Sequence, residues 1–222
     1  MTAVGPRRAA LDASVAAICA SLDEANAGRE VALPACRRAI RAAGSSIRAV
    51  HRLDPDEAVR LADESERAIR EAQDALRHIP AVAHAGFLHD AEKEMVEARM
   101  VAVLVAGGPL PSATALDVDP TSWMRGLAEA ASELRRHLLD RLREGDLDRG
   151  QELLEAMDDV YSALVVVDFP DAITSGLRRT LDALRAVLER TRGDVTTTVL
   201  QTRLQRSLDA AVGHFGDPEP AG

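Results

Sequence analysis

The sequence predicts an all-α protein, a single-domain bundle of about seven to eight antiparallel helices. Three observations carry this. Ala, Leu and Val dominate a hydrophobic content of 46%, while aromatic residues make up only 2%, and strands lean on aromatic and β-branched side chains. Apolar residues recur at spacings of three and four along nearly the whole chain, the period of a helix buried on one side. No segment shows the strict alternation of a half-buried strand. The domain is expected to span residues 1–212. The tail at 213–222 is rich in Gly, Pro and acid and reads as disordered.

The elements follow in order. Leu11, Val15, Ile18, Leu22 and Ala25 mark a first helix that Gly28 ends. After Leu33-Pro34 a second carries Cys36, Ile40, Ala43, Ile47 and Val50 on one stripe. Asp54-Pro55 opens a third, because Asp caps and Pro suits the first turn. It runs through Ala58, Leu61, Ala62, Ile69, Ala72 and Leu76 and stops before Pro80. A fourth runs from Gly86 to about Val105, where Gly107-Gly108-Pro109 breaks it. Pro109 to Pro120 is a loop with room for one helical turn. Asp119-Pro120 opens a fifth helix, with Met124, Leu127, Ala131, Leu134, Leu138 and Leu142 on one face. A sixth uses Leu153, Met157, Val160, Leu164 and Val167. A seventh uses Ile173, Leu177, Leu181, Leu184 and Leu188, and Gly193-Asp194 reads as a stop and a new cap. The last uses Val199, Leu204, Leu208 and Ala211.

Charge and composition limit the function. The net charge is −9, so a nucleic-acid site has to be a local basic face on an acidic body. Lys93 is the single lysine among 27 basic residues. Cys19 and Cys36 lack any zinc spacing and read as buried free thiols. No apolar run approaches membrane-spanning length, and no signal peptide is evident, which points to the cytoplasm. There is no phosphate-cradling glycine loop, no HExxH and no ExxH.

Two carboxylate pairs carry the candidate chemistry. Glu94 and Glu97 lie three apart on the fourth helix, and Glu129 and Glu133 four apart on the fifth, so each pair shares a helical face. Four such oxygen donors suit a hard divalent cation, Mg²⁺ or Mn²⁺. The first pair shares its face with Phe87, Val101 and Val105, where unpaired acid is costly. It reads equally as a functional pair or as a buried ion pair. The second lies opposite the leucine stripe, and periodicity alone reads it as a solvated face. A basic face on the second helix steps through Arg38, Arg41, Ser45, Arg48 and Arg52, with Arg37 and His51 beside it. It suits phosphates, an ordinary solvated face, or a face that pairs with acidic neighbours. Arg178, Arg185 and Arg192 lie beside Asp182 and Glu189 and read as intrahelical salt bridges.

From about Arg37 to Leu208 the motifs, taken in order, resemble the translin/TRAX family. Ile47-Arg48-Ala49-Val50-His51-Arg52 is similar to its early basic helix. Gly86-Phe87-Leu88-His89-Asp90-Ala91-Glu92-Lys93-Glu94-Met95-Val96-Glu97-Ala98 is similar to its first acidic helix, and Gly126-Leu127-Ala128-Glu129-Ala130-Ala131-Ser132-Glu133-Leu134-Arg135-Arg136 to its second. Leu110-Pro111-Ser112, Met157-Asp158-Asp159-Val160-Tyr161, Asp168-Phe169-Pro170, Gly176-Leu177-Arg178-Arg179 and Glu189-Arg190-Thr191-Arg192-Gly193-Asp194 keep the family's order.

The resemblance implies a translin-like helical protomer in a closed octameric shell that binds single-stranded RNA or DNA. For TRAX-like members it implies a metal-dependent endoribonuclease acting on single-stranded RNA. By motif, Glu94, Glu97, Glu129 and Glu133 are the catalytic and Mg- or Mn-binding acids. Arg38, Arg41, Arg48, His51 and Arg52 are the nucleic-acid-binding set. The chain departs from TRAX in carrying Glu129 where TRAX has Asp. The alternative is a non-catalytic translin-like shell that binds single-stranded RNA or DNA. A third reading is an adaptor bundle that binds protein.

Overall fold

The computed structural model describes residues 5–215, and among them it is helical with no strand. The helices are α1 (Pro6–His51), α2 (Pro55–Leu76), the single turn α3 (Pro80–Ala83), α4 (Phe87–Ala106), the single turn α5 (Ala113–Leu116), α6 (Pro120–Arg143), α7 (Leu147–Leu164), the single turn α8 (Asp171–Thr174) and α9 (Leu177–Phe215). The boundaries at Asp54-Pro55, Gly86, Gly107, Pro120 and Asp146 fall where turn chemistry places them. Asp54 accepts a hydrogen bond from the Glu57 amide, and Asp146 from that of Arg149. Gly145 takes φ +84° between α6 and α7, a conformation that glycine adopts without penalty.

Two expected breaks do not occur. The first and second expected helices are one helix of 46 residues, α1, which passes through Gly28 and Pro34. Gly28 serves close packing instead of a stop. A β-carbon there would lie 2.5 Å from Ile79 Cδ1 and 2.9 Å from the Ala75 carbonyl. Pro34 lacks the N–H that would reach Glu30, and both residues are exposed, so water reaches the carbonyl that loses its partner. Likewise α9 continues through Gly193. Its buried stripe, Leu181, Leu184, Leu188, Thr191 and Val195, keeps helical spacing across the glycine. Asp194 accepts from Arg135 Nη2 at 2.7 Å and starts no new helix. Helix α9 also runs past Gly213, where the tail was expected; residues 216–222 lie outside the described residues.

The described residues divide into two compact units, one within 5–102 and 111–126, the other within 103–110 and 127–215. In the first unit α1 packs on α2 through small side chains. Ala32, Ala35, Cys36, Ala39, Ala42, Ala43, Ser46 and Ala49 face Ala58, Ala62, Ser65, Ala68 and Ala72, all buried. Two serines tie the helices directly: Ser46 Oγ donates to the Ala58 carbonyl at 2.7 Å and Ser65 Oγ to the Ala39 carbonyl at 3.0 Å. The second unit centres on Leu134, Leu138, Leu142, Leu153, Met157, Leu188 and Val195.

Several expected core residues are exposed. Leu11, Val15, Ile18 and Leu22 on α1 and Leu204 and Leu208 on α9 form apolar stripes that nothing among the described residues covers, and Ile173 on α8 is also open. Cys19 is exposed and only Cys36 is buried; burial pushes the Cys36 thiol up to about 11. Periodicity finds an apolar face but not what covers it.

The two glycines give opposite expectations in urea denaturation. Gly193→Ala meets nothing within 4 Å and should stabilise by about 0.5–1 kcal/mol. Gly28→Ala should destabilise by about 1–3 kcal/mol, because backbone at Ala75 has to move. Equal and positive shifts would remove the packing role of Gly28.

Candidate metal centre and nucleic-acid face

Helix α4 carries Glu94 and Glu97 into an apolar setting. Ala91, Met95, Val96, Ala98, Met100 and Val101 are buried around them. Glu97 is 9% exposed and Lys93 8%, and Lys93 Nζ lies 2.9 Å from Glu94 Oε1. Glu94 is thus ion-paired with the single lysine, which is buried while Glu94 itself is half-buried. One turn further, Arg99 donates to Glu66 at 2.8 Å and to Asp63 at 2.5 Å.

Helix α6 begins with a strong cap. Asp119 Oδ1 accepts from the Thr121 amide at 2.8 Å, from Thr121 Oγ1 at 2.5 Å and from the Ser122 amide at 3.3 Å. Ser122 Oγ donates to the His89 carbonyl on α4 at 3.0 Å. A turn later comes Gly126, where a β-carbon would lie 2.6 Å from the Lys93 carbonyl and 2.8 Å from Val96. Glu129 and Glu133 follow on the same continuous helix and are half-buried, where periodicity alone had read a solvated face.

The structure groups three of the four expected acids. Glu94, Glu97 and Glu129 each offer one oxygen, and these lie within 4.8 Å of one another. Oxygens on opposite sides of a six-coordinate Mg²⁺ lie about 4.2 Å apart. The donors are all carboxylate, with no sulfur or imidazole, so the group fits Mg²⁺ or Mn²⁺. Glu133 falls outside this group.

A neighbouring cluster was not legible in the sequence. His89 Nδ1 lies 3.6 Å from Glu92 Oε2 and 4.0 Å from Asp119 Oδ1, and its ring stacks on that of His84 at 6.0 Å between centroids. Glu92 is 4% exposed. It accepts from Gln73 Nε2 at 2.9 Å and from the Asp119 amide at 3.3 Å. Burial pushes the Glu92 carboxyl above its ordinary range despite those bonds. Burial also pushes Asp119 up, but its three donors outweigh that and hold it below. Spacing could not have singled out Glu92, since its partners sit on α2 and ahead of α6.

The expected basic face lies on α1. Arg38, Arg41, Arg48 and Arg52 are exposed and His51 is half-buried. Arg38 is engaged by Glu71 at 2.5 Å, and Arg48 by Ser45 Oγ at 2.9 Å. Of the second arginine series, Arg192 pairs within its helix with Glu189, but also reaches Asp158, and Arg178 pairs with Asp168 outside α9.

The Asp119 cap gives a pH prediction. A carboxylate held below its ordinary value of 3.8 contributes stability that is complete above that value. The contribution is lost as pH falls through the lowered value. Asp119→Asn keeps most of the cap, so its stability should lack this part of the acid loss when thermal melts are compared from pH 7 to pH 2. Superimposable profiles would remove the role. Gly126→Ala should cost about 1–3 kcal/mol by forcing α6 off α4.

Comparison with known proteins agrees with the architecture. No family model matches the chain. An uncharacterised protein of Methanocaldococcus jannaschii, MJ0175, is 27% identical over 185 residues, covering 81% of this chain and 80% of its own. The solved structure of AfC3PO is 29% identical, with a TM-score of 0.79, over 85% of this chain and 98% of that one. AfC3PO in complex with duplex RNA gives 29% and a TM-score of 0.77, over 85% and 97%. Apo-NeC3PO, at 17% identity and a TM-score of 0.71 over 88% and 99%, shares the fold. No helix among the described residues is long and apolar enough to cross a membrane. In its all-helical fold and in its sequence, the chain is similar to these C3PO structures, which are of the translin/TRAX type.

Proposed function

We propose that the protein is a Mg²⁺- or Mn²⁺-dependent endoribonuclease that cuts single-stranded RNA inside a homo-octameric shell in the cytoplasm. The observation that carries this reading is the group of three carboxylates, Glu94, Glu97 and Glu129. It occurs in a chain similar to a C3PO solved with RNA. Those three residues would hold the ion, and Glu133 would accept a proton from the attacking water. An ion held there would supply Lewis acidity at the phosphodiester being cut. Lys93 balances charge at Glu94 and keeps the acids from repelling one another. Arg41, Arg48, Arg52 and His51, with Arg38, hold the RNA backbone, so binding weakens as salt rises. The open apolar stripes on α1 and α9 support burial against further copies of the chain.

One observation favours the non-catalytic shell instead. The Lys93 ammonium already neutralises Glu94 at 2.9 Å, and Glu129 is one methylene longer than the Asp of TRAX, so the group is also stable as an ion-pair cluster that needs no metal.

Cleavage of single-stranded and duplex RNA oligonucleotides by purified protein separates the two. The enzyme reading expects cutting with Mg²⁺ or Mn²⁺ and none with EDTA. Glu97→Ala should lose more than the roughly 10–100-fold that removal of an outer-shell partner costs. Equal cutting by wild type and variant would mean a contaminant. Tight, salt-sensitive binding without cutting would select the shell. Light scattering should find a mass eight times the 23.8 kDa of one chain; a 23.8 kDa particle would remove the shell from both readings.

A further inference from the structure

Beyond the acids, α6 presents a cation that the reading above does not use. Ser132, Glu133, Arg135, Arg136, Leu139 and Asp140 line an open concavity of about 460 Å³. The two arginines in it differ. Arg135 is committed to α9, donating to Thr191 Oγ1 at 2.9 Å and to Asp194 at 2.7 Å. Asp140 is paired with Arg143 at 3.0 Å. Arg136 is exposed and makes no hydrogen bond or ion pair among the described residues.

Its position on the helix matters. Arg136 follows Glu129 by seven residues and Glu133 by three, so all three share one face. Helical side chains lean towards the N-terminus, so the guanidinium leans towards Glu133 and the metal group. A free arginine beside paired carboxylates is poised for an outside anion. A planar guanidinium matches the two non-bridging oxygens of a phosphodiester. No aromatic ring lines the concavity, so nothing there stacks a base. Leu139 offers an apolar wall to the sugar.

We propose that Arg136 binds a phosphodiester of the RNA strand adjacent to the bond that is cut, and that this contact reads the backbone without regard to base. The proposal rests on the RNA-cleaving reading and assigns the strand's path along α6. Arg136 is a substrate-holding residue and takes no part in holding the ion.

The test measures binding of labelled oligo(U) and oligo(A) in EDTA across a KCl series, then cleavage kinetics with Mn²⁺. The proteins are wild type, Arg136→Gln, Arg136→Lys and, as a charge-matched control, Arg185→Gln. Arg136→Gln should weaken binding of both oligonucleotides roughly tenfold at low salt. It should lower the slope of log affinity against log salt by about 0.7, the value of one phosphate contact on a single strand. In cleavage it should raise KM with kcat little changed and leave Mn²⁺ affinity unaltered. Arg136→Lys should restore the salt slope but only part of the affinity, and Arg185→Gln should match wild type.

An Arg136→Gln protein that binds and cleaves like wild type overturns the proposal and leaves the enzyme reading intact. Equal losses in Arg136→Gln and Arg185→Gln overturn it in favour of a diffuse field. Loss of Mn²⁺ affinity in Arg136→Gln overturns it by showing that the residue acts on the glutamates. A wild-type protein that binds no RNA overturns both readings.

Discussion

The close approach of α6 to α4 at Gly126 is the constraint on which the candidate site depends. A β-carbon there would sit 2.6 Å from the Lys93 carbonyl, so no other residue allows the helices this separation. Glu129 lies one turn beyond that contact on an unbroken helix. The approach is pinned at the start of α6 as well, where Ser122 bonds the His89 carbonyl and Asp119 caps the first turn. Small side chains play the same part between α1 and α2, where alanines and two hydrogen-bonded serines form the contact.

Bringing acids this close is unfavourable unless each is compensated. Lys93 faces Glu94, and Gln73 with the Asp119 amide serves Glu92. Arg99 binds Asp63 and Glu66. Among exposed pairs such contacts contribute little; here burial raises what each would cost if broken. The chain therefore keeps its charges in a fixed arrangement near the middle of α4. A preorganised acidic group of this kind spends little on reorganisation when a cation enters.

The ends of the long helices follow a different logic. The first half of α1 and the last part of α9 have apolar stripes that are exposed among the described residues. They are helical because their local sequences favour helix and because each continues a packed segment. Residues such as Leu11 and Leu208, core by periodicity, are thus not core in the protomer.

Much of the architecture was legible in the residues. The helical class, the cap at Asp54, the boundaries at Pro55, Pro80 and Pro120 and the inward stripes of α6 and α7 follow from spacing and turn chemistry, which act within a few residues. The unusual position of Glu94 and Glu97 was also visible, because acid on an otherwise apolar helix is costly. What the sequence could not determine was every choice that depends on a second helix. Gly28 and Gly193 read as stops, yet packing along α2 and along the α9 stripe outweighs their weak helix preference. Glu129 and Glu133 read as solvated, yet α6 leaves them half-buried. Glu92 gained its meaning from neighbours remote in sequence, Gln73 and Asp119. Local periodicity specifies which face of a helix is apolar; only tertiary packing decides what meets that face and how closely.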